Sequence, residues 1–487
     1  MQLDLARLAD AFNGLRAAVV GDPLLDVYLD GRVERLCREA PVPLVQVQRV
    51  HDAAGGAANV ACNLAALGAR TTLIGFVGDD VEAARLRRTL DHARVDARML
   101  VPVPGWRTVC KQRLVGDAQI IARFDQGRRV PADPALEALL CERVRAALAA
   151  SDVLVVSDYG YGSVNAGMIA ALADRPRRPR PVVVADGRAL ARLAPARPSA
   201  VKPSYEEARR LLGVRGADDP AGRAEWVHAH ADALLAATGA DIVAVTLDRD
   251  GAVVLQRGRA PYRTYARPAR TSLATGSGDT FVAGLALALA AGAETPEAAE
   301  LASAAAAVVV GKDGTAVCTA PELHRLIAGG DKRLDDLDAL AERVQAARAG
   351  GARIVFTNGC FDILHRGHVT LLNRAKALGD LLIVGVNTDD SVRRLKGPGR
   401  PINTLEDRIK VLAALSYVDY VIAFDDDSPR DIIACVRPDL YVKGGDYSRD
   451  TLPEAELVEG LGGAVCILPL VEDRSTTHLI DRIRGVA

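Results

Sequence analysis

Along most of the chain, short runs of β-branched residues alternate with longer stretches rich in Ala and Leu. The runs predict strands over 17–21, 72–75, 153–157, 182–185, 242–246 and 253–256. The stretches predict helices over 57–67, 134–149, 204–212 and 279–291. Apolar strands alternating with helices point to a parallel sheet covered by helices on both faces. The segment 42–50, Val-Pro-Leu-Val-Gln-Val-Gln-Arg-Val, alternates apolar and polar instead. That period of two describes a half-exposed strand, suited to a small flap or lid. A second series opens near residue 331, after a glycine-bearing and then charged stretch from Ala328. It predicts a helix over 337–349, strands over 353–357, 381–386, 418–423, 440–443 and 465–468, and a helix from about His368. The fold class is therefore α/β in two domains: 1–328, a linker with a lead-in helix over 329–350, and 351–487.

With 487 residues the chain is too long for one ordinary core. A net charge of −1 argues against a nucleic-acid surface or an anionic membrane as partner. The densest basic stretch, 175–180, is short, broken by prolines and without aromatics, and reads as a solvated loop. The eight cysteines are scattered with no C-x-x-C spacing, so neither a zinc site nor a dithiol couple is indicated. The N-terminus shows no signal-peptide pattern, and apolar runs such as 281–291 are too short to span a bilayer. A cytoplasmic protein is expected.

Two motifs carry the candidate chemistry. The first is Thr275-Gly276-Ser277-Gly278-Asp279-Thr280-Phe281, leading into an apolar helix. Glycines there bare backbone N–H groups, and the helix aims its positive end at the turn, an arrangement that favours phosphate. Asp279 could take a proton from a hydroxyl attacking a γ-phosphate, or it could be an N-cap; the motif alone leaves both open. Further elements are Asp22 and Asp26 at a strand end, then Gly55-Gly56 before a helix carrying Asn59 and Asn63, and, after later strands, Lys202-Pro-Ser-Tyr-Glu-Glu207 and Thr246-Leu-Asp-Arg-Asp-Gly251. In this order, over roughly 15–320, they resemble the ribokinase-type sugar kinase family. That resemblance implies an αβα sandwich with a small β lid, and ATP-dependent phosphorylation of a sugar hydroxyl with Mg²⁺. It makes Asp279 the base and the amides of Gly276, Ser277 and Gly278 the anion hole. Asp26, Gly55, Gly56 and Asn59 match sugar-side positions, and Lys202, Ser204, Glu207 and Thr246 match the nucleotide and metal side. The metal ligands themselves are not specified. The chain departs from the family pattern in four places: Leu273 for Asp, Ser204 for Asn, Tyr161 for Lys, and Asp186-Gly-Arg188 for Asp-Pro-Lys.

The second motif is Asn358-Gly-Cys-Phe-Asp-Ile-Leu-His365-Arg-Gly367-His368. Two imidazoles one turn apart can share a helix face and donate to phosphate oxygens as pyrophosphate leaves. No third His, Cys or Glu completes a zinc pattern. The segment resembles the cytidylyltransferase-like nucleotidyltransferase family, which implies a Rossmann-like αβα domain. Thr357, Asn358, Phe361, Lys396, Lys443, Ser475, Thr476 and Thr477 fall at its nucleotide-binding positions, with His365 and His368 catalytic.

A sugar kinase followed by such a domain resembles the family of bifunctional heptose 7-phosphate kinase/heptose 1-phosphate adenylyltransferases. Supporting stretches include Glu39-Ala-Pro-Val-Pro, Ser157-Asp-Tyr, Arg400-Pro-Ile-Asn and Val442-Lys-Gly-Gly-Asp-Tyr. The resemblance implies ATP and heptose phosphates as substrates and a separate bisphosphate phosphatase acting between the two steps. A phosphorylated sugar needs cationic partners, and Lys111, Arg113 and Arg123 lie in the segment expected to supply them. The strand over 42–50 suits a lid-mediated homodimer. Three other readings stay open: a degenerate sugar-binding kinase half, a different sugar kinase joined to a cytidylyltransferase, and two regulatory binding modules without chemistry.

Overall fold

The structure, a computed structural model, describes residues 5–468 except 38–39, 118, 132, 176–180, 215–219, 266–274, 313, 328–331 and 446–448. The chain divides into two compact units, one of Arg7–Leu323 and one whose main part begins at His324.

The first unit is built on a nine-stranded sheet. Its spatial order runs Tyr262–Thr264, Ala252–Gln256, Ile242–Thr246, Ala200–Val201, Val182–Gly187, Val153–Asp158, Arg16–Gly21, Arg70–Gly78 and Leu100–Val103. Every residue of Val153–Asp158 is buried, as a strand covered on both faces must be. The sheet is parallel except at one edge, where Ala252–Gln256 pairs antiparallel with both neighbours. The expectation of a parallel sheet fails there for a simple reason. Only a short 3-10 turn, Asp248–Asp250, joins Ile242–Thr246 to Ala252–Gln256, too little chain for a crossover.

A separate four-stranded sheet is ordered Pro43–Gly56, Pro23–Leu36, Cys110–Gly116 and Gln119–Gln126. The expected flap is thus one strand of four. Pro23–Leu36 escapes the hydrophobic pattern because acids (Asp26 and Asp30) interrupt it.

The second unit carries a six-stranded parallel sheet. Its order is Arg333–Leu334, Tyr420–Phe424, Leu381–Asn387, Ile354–Gly359, Leu440–Gly444 and Ala464–Leu468. Successive strands run one way from Ile354–Gly359 and then the other, so the switch point lies beside that strand. Ligands of such sheets collect there, at the carboxyl ends. The described part of 329–350 belongs to this unit: Arg333–Leu334 is the edge strand, and helix Leu337–Ala349 packs on helix Arg430–Val436.

Arg175 is not part of a solvated loop. Its guanidinium is buried and donates to the carbonyls of Leu172 and Arg197, each at 2.7 Å. Residues 176–180 lie outside the described residues. Among the described residues, no helix is long and apolar enough to cross a membrane.

Candidate active sites

The first site lies where strands of the nine-stranded sheet end. Asp22 follows Arg16–Gly21, Tyr159 follows Val153–Asp158, and Asp186 is near the end of Val182–Gly187. A cleft of about 410 Å³ opens there. Asp279 sits in the first turn of helix Ser277–Ala290, whose N-cap is Gly276 at φ 92°. Asp279 is therefore not the cap. A Cβ at Gly276 would lie 2.4 Å from Asn59 Nδ2, so both the left-handed turn and the approach of Asn59 require glycine.

Asp279 is buried, and both of its oxygens are held. Asn59 Nδ2 donates to Oδ2 at 2.7 Å, and the Tyr159 hydroxyl donates to Oδ1 at 2.9 Å. Asn63 Nδ2 fixes Asn59 by donating to its main-chain oxygen at 3.0 Å. Burial pushes the Asp279 carboxyl up, against Asn59, Lys202 and Tyr159, each of which favours the ionised form. The result is a desolvated carboxylate held at the head of a helix, as a general base requires.

Lys202 Nζ lies 3.1 Å from Asp186 Oδ1, both side chains nearly buried. Burial works against the Lys202 charge, but Asp186, Asp279 and Glu207 outweigh it and hold the ammonium above its ordinary value. Burial raises Asp186 to about 6, with Lys202 pulling the other way. Ser204 and Glu207 also line the cleft, where they form a capping box on helix Tyr205–Leu212.

On the other wall, Asp26 forms a buried ion pair with Arg113, Nη1 to Oδ1 at 2.8 Å. Lys111 and Arg123 line the same cleft. Lys111 Nζ stands 5.3 Å over the Tyr159 ring, and Arg123 pairs with Asp125 at 2.7 Å. Gly56 has φ 57°, and a Cβ there would lie 2.0 Å from Leu24 Cδ1.

Asp26, Gly56, Asn59, Lys111 and Arg123 thus share one cleft with Lys202, Ser204, Glu207, Gly276, Gly278 and Asp279. Three expected residues do not line it. Gly55 packs against Asp26, where a Cβ would lie 2.6 Å from Oδ2. Ser277 is the first residue of the helix, and the Thr246 amide donates to the Pro203 carbonyl at 3.0 Å. Leu273 lies outside the described residues.

In the second unit, His365 is the N-cap of helix Arg366–Lys376. The helix thus begins two residues earlier than expected. His365 Nδ1 accepts from the Gly367 amide at 3.1 Å. An accepting Nδ1 assigns the neutral ring's proton to Nε2. The His365 and His368 rings are 4.0 Å apart, and Phe361 meets His368 edge-on at 5.4 Å. Burial, then His365 and Lys396, drive His368 down to about 3, so it is neutral when the cleft holds no anion.

Thr357 and Asn358 end strand Ile354–Gly359. Tyr441 OH donates to Asn358 Oδ1 at 2.7 Å, and Lys443 Nζ is 3.4 Å from the Asn358 carbonyl. Burial lowers Lys443, so an arriving phosphate would strengthen its charge. Lys396 ends helix Asp389–Lys396 and is exposed. Ser475, Thr476, Thr477 and Asp446 lie outside the described residues, as does Glu39.

Several supporting bonds join residues far apart in the chain. Asp22 accepts from the amides of Tyr159, Tyr161 and Ser163 at 2.9–3.0 Å, pinning the loop that carries Tyr159. Asp362 accepts from the amides of Ile402 and Asn403, and fully buried Arg408 ties the Cys360 carbonyl to Asp389. Among the described residues, no cluster of three or more His, Cys, Asp or Glu could hold a metal ion.

Residues 16–323 match the family described as pfkB family carbohydrate kinase, and residues 356–473 match the family described as cytidylyltransferase-like. The chain is 42% identical to the bifunctional protein HldE of Pseudomonas aeruginosa strain PAO1, an alignment covering 99% of each chain. It is 41% identical to the bifunctional protein HldE of Azotobacter vinelandii, again over 99% of each. Among solved structures, phosphofructokinase-2 from Escherichia coli in complex with potassium aligns with a TM-score of 0.53 at 20% identity. That alignment covers 64% of this chain and 97% of the other, and it speaks for the fold alone. The chain belongs to the HldE family of bifunctional proteins, in which a ribokinase-like pfkB carbohydrate kinase domain is joined to a cytidylyltransferase-like domain.

Proposed function

We propose that the chain carries out two steps of ADP-heptose biosynthesis. The kinase domain phosphorylates O1 of D-glycero-D-manno-heptose 7-phosphate, giving the 1,7-bisphosphate and ADP. The second domain joins AMP from ATP to heptose 1-phosphate, giving ADP-heptose and pyrophosphate. The observation that carries the reading is the pair of constellations on one chain: Asp279 at a helix start sharing a cleft with Lys202, and His365 with His368 at the start of another helix.

In the first step Asp279 takes the O1 proton as O1 attacks the γ-phosphorus. The amides of Gly276, Ser277 and Gly278 and the Lys202 ammonium receive the charge. Lys111, Arg113 and Arg123 supply cationic surroundings for the phosphate the sugar already carries, with Asp26, Gly55, Gly56 and Asn59 on the sugar side. Ser204, Glu207 and Thr246 belong to the nucleotide side. Mg²⁺ fits a cleft that offers hard oxygen donors, Asp186 and Glu207, beside the expected phosphates. When bound it would neutralise phosphate charge.

In the second step an oxygen of the sugar 1-phosphate attacks the α-phosphorus. His365 and His368 donate to the phosphates, Lys396 and Lys443 add positive charge, and Thr357, Asn358 and Phe361 shape the nucleotide cradle. By the family resemblance, Ser475, Thr476 and Thr477 are assigned to nucleotide binding as well.

The kinase domain is assigned to 1–328, the linker and lead-in helix to 329–350, and the nucleotidyltransferase domain to 351–487. A separate phosphatase acts between the steps, in the cytoplasm. Exposed Val47, Val50, Ile120 and Phe124 on the four-stranded sheet support a homodimer formed through the lid. The test is ³¹P NMR of the protein with heptose 7-phosphate, ATP and Mg²⁺. A new anomeric phosphate signal with matching ADP is expected; intact ATP and no such signal would refute the kinase assignment.

A further inference from the structure

Tyr159 joins three parts of the kinase site. Its amide donates to Asp22 Oδ2 at 3.0 Å, anchoring it to the end of the neighbouring strand. Its hydroxyl donates to Asp279 Oδ1 at 2.9 Å. Its ring lies under Lys111, whose ammonium is 5.3 Å from the centroid. The loop has little freedom, because Tyr161 and Ser163 bond the same Asp22 carboxylate. A hydroxyl delivered by a pinned loop to one oxygen of a buried base is placed to set which lone pair the base presents.

We propose that Tyr159 is a positioning residue of the kinase. Its hydroxyl holds the Asp279 carboxylate ionised and aimed, and its ring seats Lys111 beside the same substrate. The inference rests on the kinase reading of this cleft. A neutral phenol can donate only while it keeps its proton. Burial, with Asp279 and Asp186 nearby, raises the Tyr159 hydroxyl well above its ordinary value, so it keeps that proton. The other groups acting on Asp279 are Asn59 and Lys202, which favour its charge, and Asp26, which opposes it; Asp186 interacts with Asp279 as well.

Tyr159→Phe removes the hydroxyl and keeps the ring. One charge-assisted hydrogen bond is lost, so kcat/KM for sugar phosphorylation should fall about tenfold to a hundredfold, with KM for ATP little changed. The ionised base is then less favoured, and the acid limb of the kcat/KM profile should move up by about one pH unit. A readout independent of substrate is the Asp279 carboxylate band, isolated by difference infrared spectroscopy against Asp279→Asn. Its titration should move to higher pH in Tyr159→Phe. An unmoved band, or an unmoved acid limb with the rate merely reduced, would overturn the proposal. If the unmodified protein fails to phosphorylate the sugar, the kinase reading falls while the infrared titration still decides whether Tyr159 controls Asp279.

Discussion

Replacing Lys202 by Met should destabilise the kinase domain in a pH-dependent way whose size follows from the Asp186 pair. The two side chains are about 8% and 12% exposed and 3.1 Å apart, so screening by water is small. With Lys202 present, burial holds Asp186 at about 6. Its unfolded value is about 3.9, so the folded protein keeps a proton that the unfolded chain releases, and stability falls as pH rises through that window. Without the ammonium, the upper edge of the window moves further up. Each added unit costs about 1.4 kcal/mol, so the extension from about pH 6 to about pH 8 amounts to about 3 kcal/mol. Asp279, whose charge Lys202 also supports, adds in the same direction. The variant should therefore lose about 3 kcal/mol more at about pH 8 than at about pH 5, comparable to breaking a buried pair. Urea titration followed by tryptophan fluorescence reads this cleanly, because Trp106 and Trp226 both lie within Arg7–Leu323. Equal losses at the two pH values, or a larger loss at the lower one, would refute the reasoning.

Other consequences can be checked directly. Asp279→Asn should lower sugar phosphorylation by about 10²–10⁴-fold and leave adenylyl transfer from heptose 1-phosphate unchanged, measured side by side on one preparation. Gly56→Ala should cost about 2–4 kcal/mol, because its Cβ would lie 2.0 Å from Leu24 at a positive φ; an unaltered urea midpoint would contradict this. The His368 ring, driven down to about 3, should show flat NMR shifts through neutral pH in the ligand-free protein. A midpoint near the ordinary imidazole value of about 6.5 would show that the ring is not desolvated as described.

The glycine-flanked Asp279 and the His365/His368 pair were legible because their chemistry is local: a few consecutive residues contain both the turn and the reacting group. The central strands were legible because burial on both faces leaves long apolar runs such as Val153-Leu-Val-Val156. What escaped depends on residues distant in sequence. Tyr159 meets Asp279 across 120 positions, and Arg113 reaches Asp26 across 87. Nothing in the neighbours of Tyr159 or Arg113 announces those partners. Arg408 looks like any charged residue of helix Leu405–Ala414, yet it is almost wholly buried, with Nη1 donating to the Cys360 carbonyl and Nη2 to Asp389. Arg175 was misread for the same reason: three carbonyls at close range, one of them from Ala196, make burial tolerable for a guanidinium.

The most direct test of two chemistries on one chain is mass spectrometry of the products formed from heptose 7-phosphate, ATP and Mg²⁺, with and without an added sugar-bisphosphate phosphatase. The expected result is heptose bisphosphate alone without the phosphatase, and ADP-heptose with pyrophosphate once it is present. Absence of ADP-heptose in both mixtures, from protein that remains folded, would contradict the assignment.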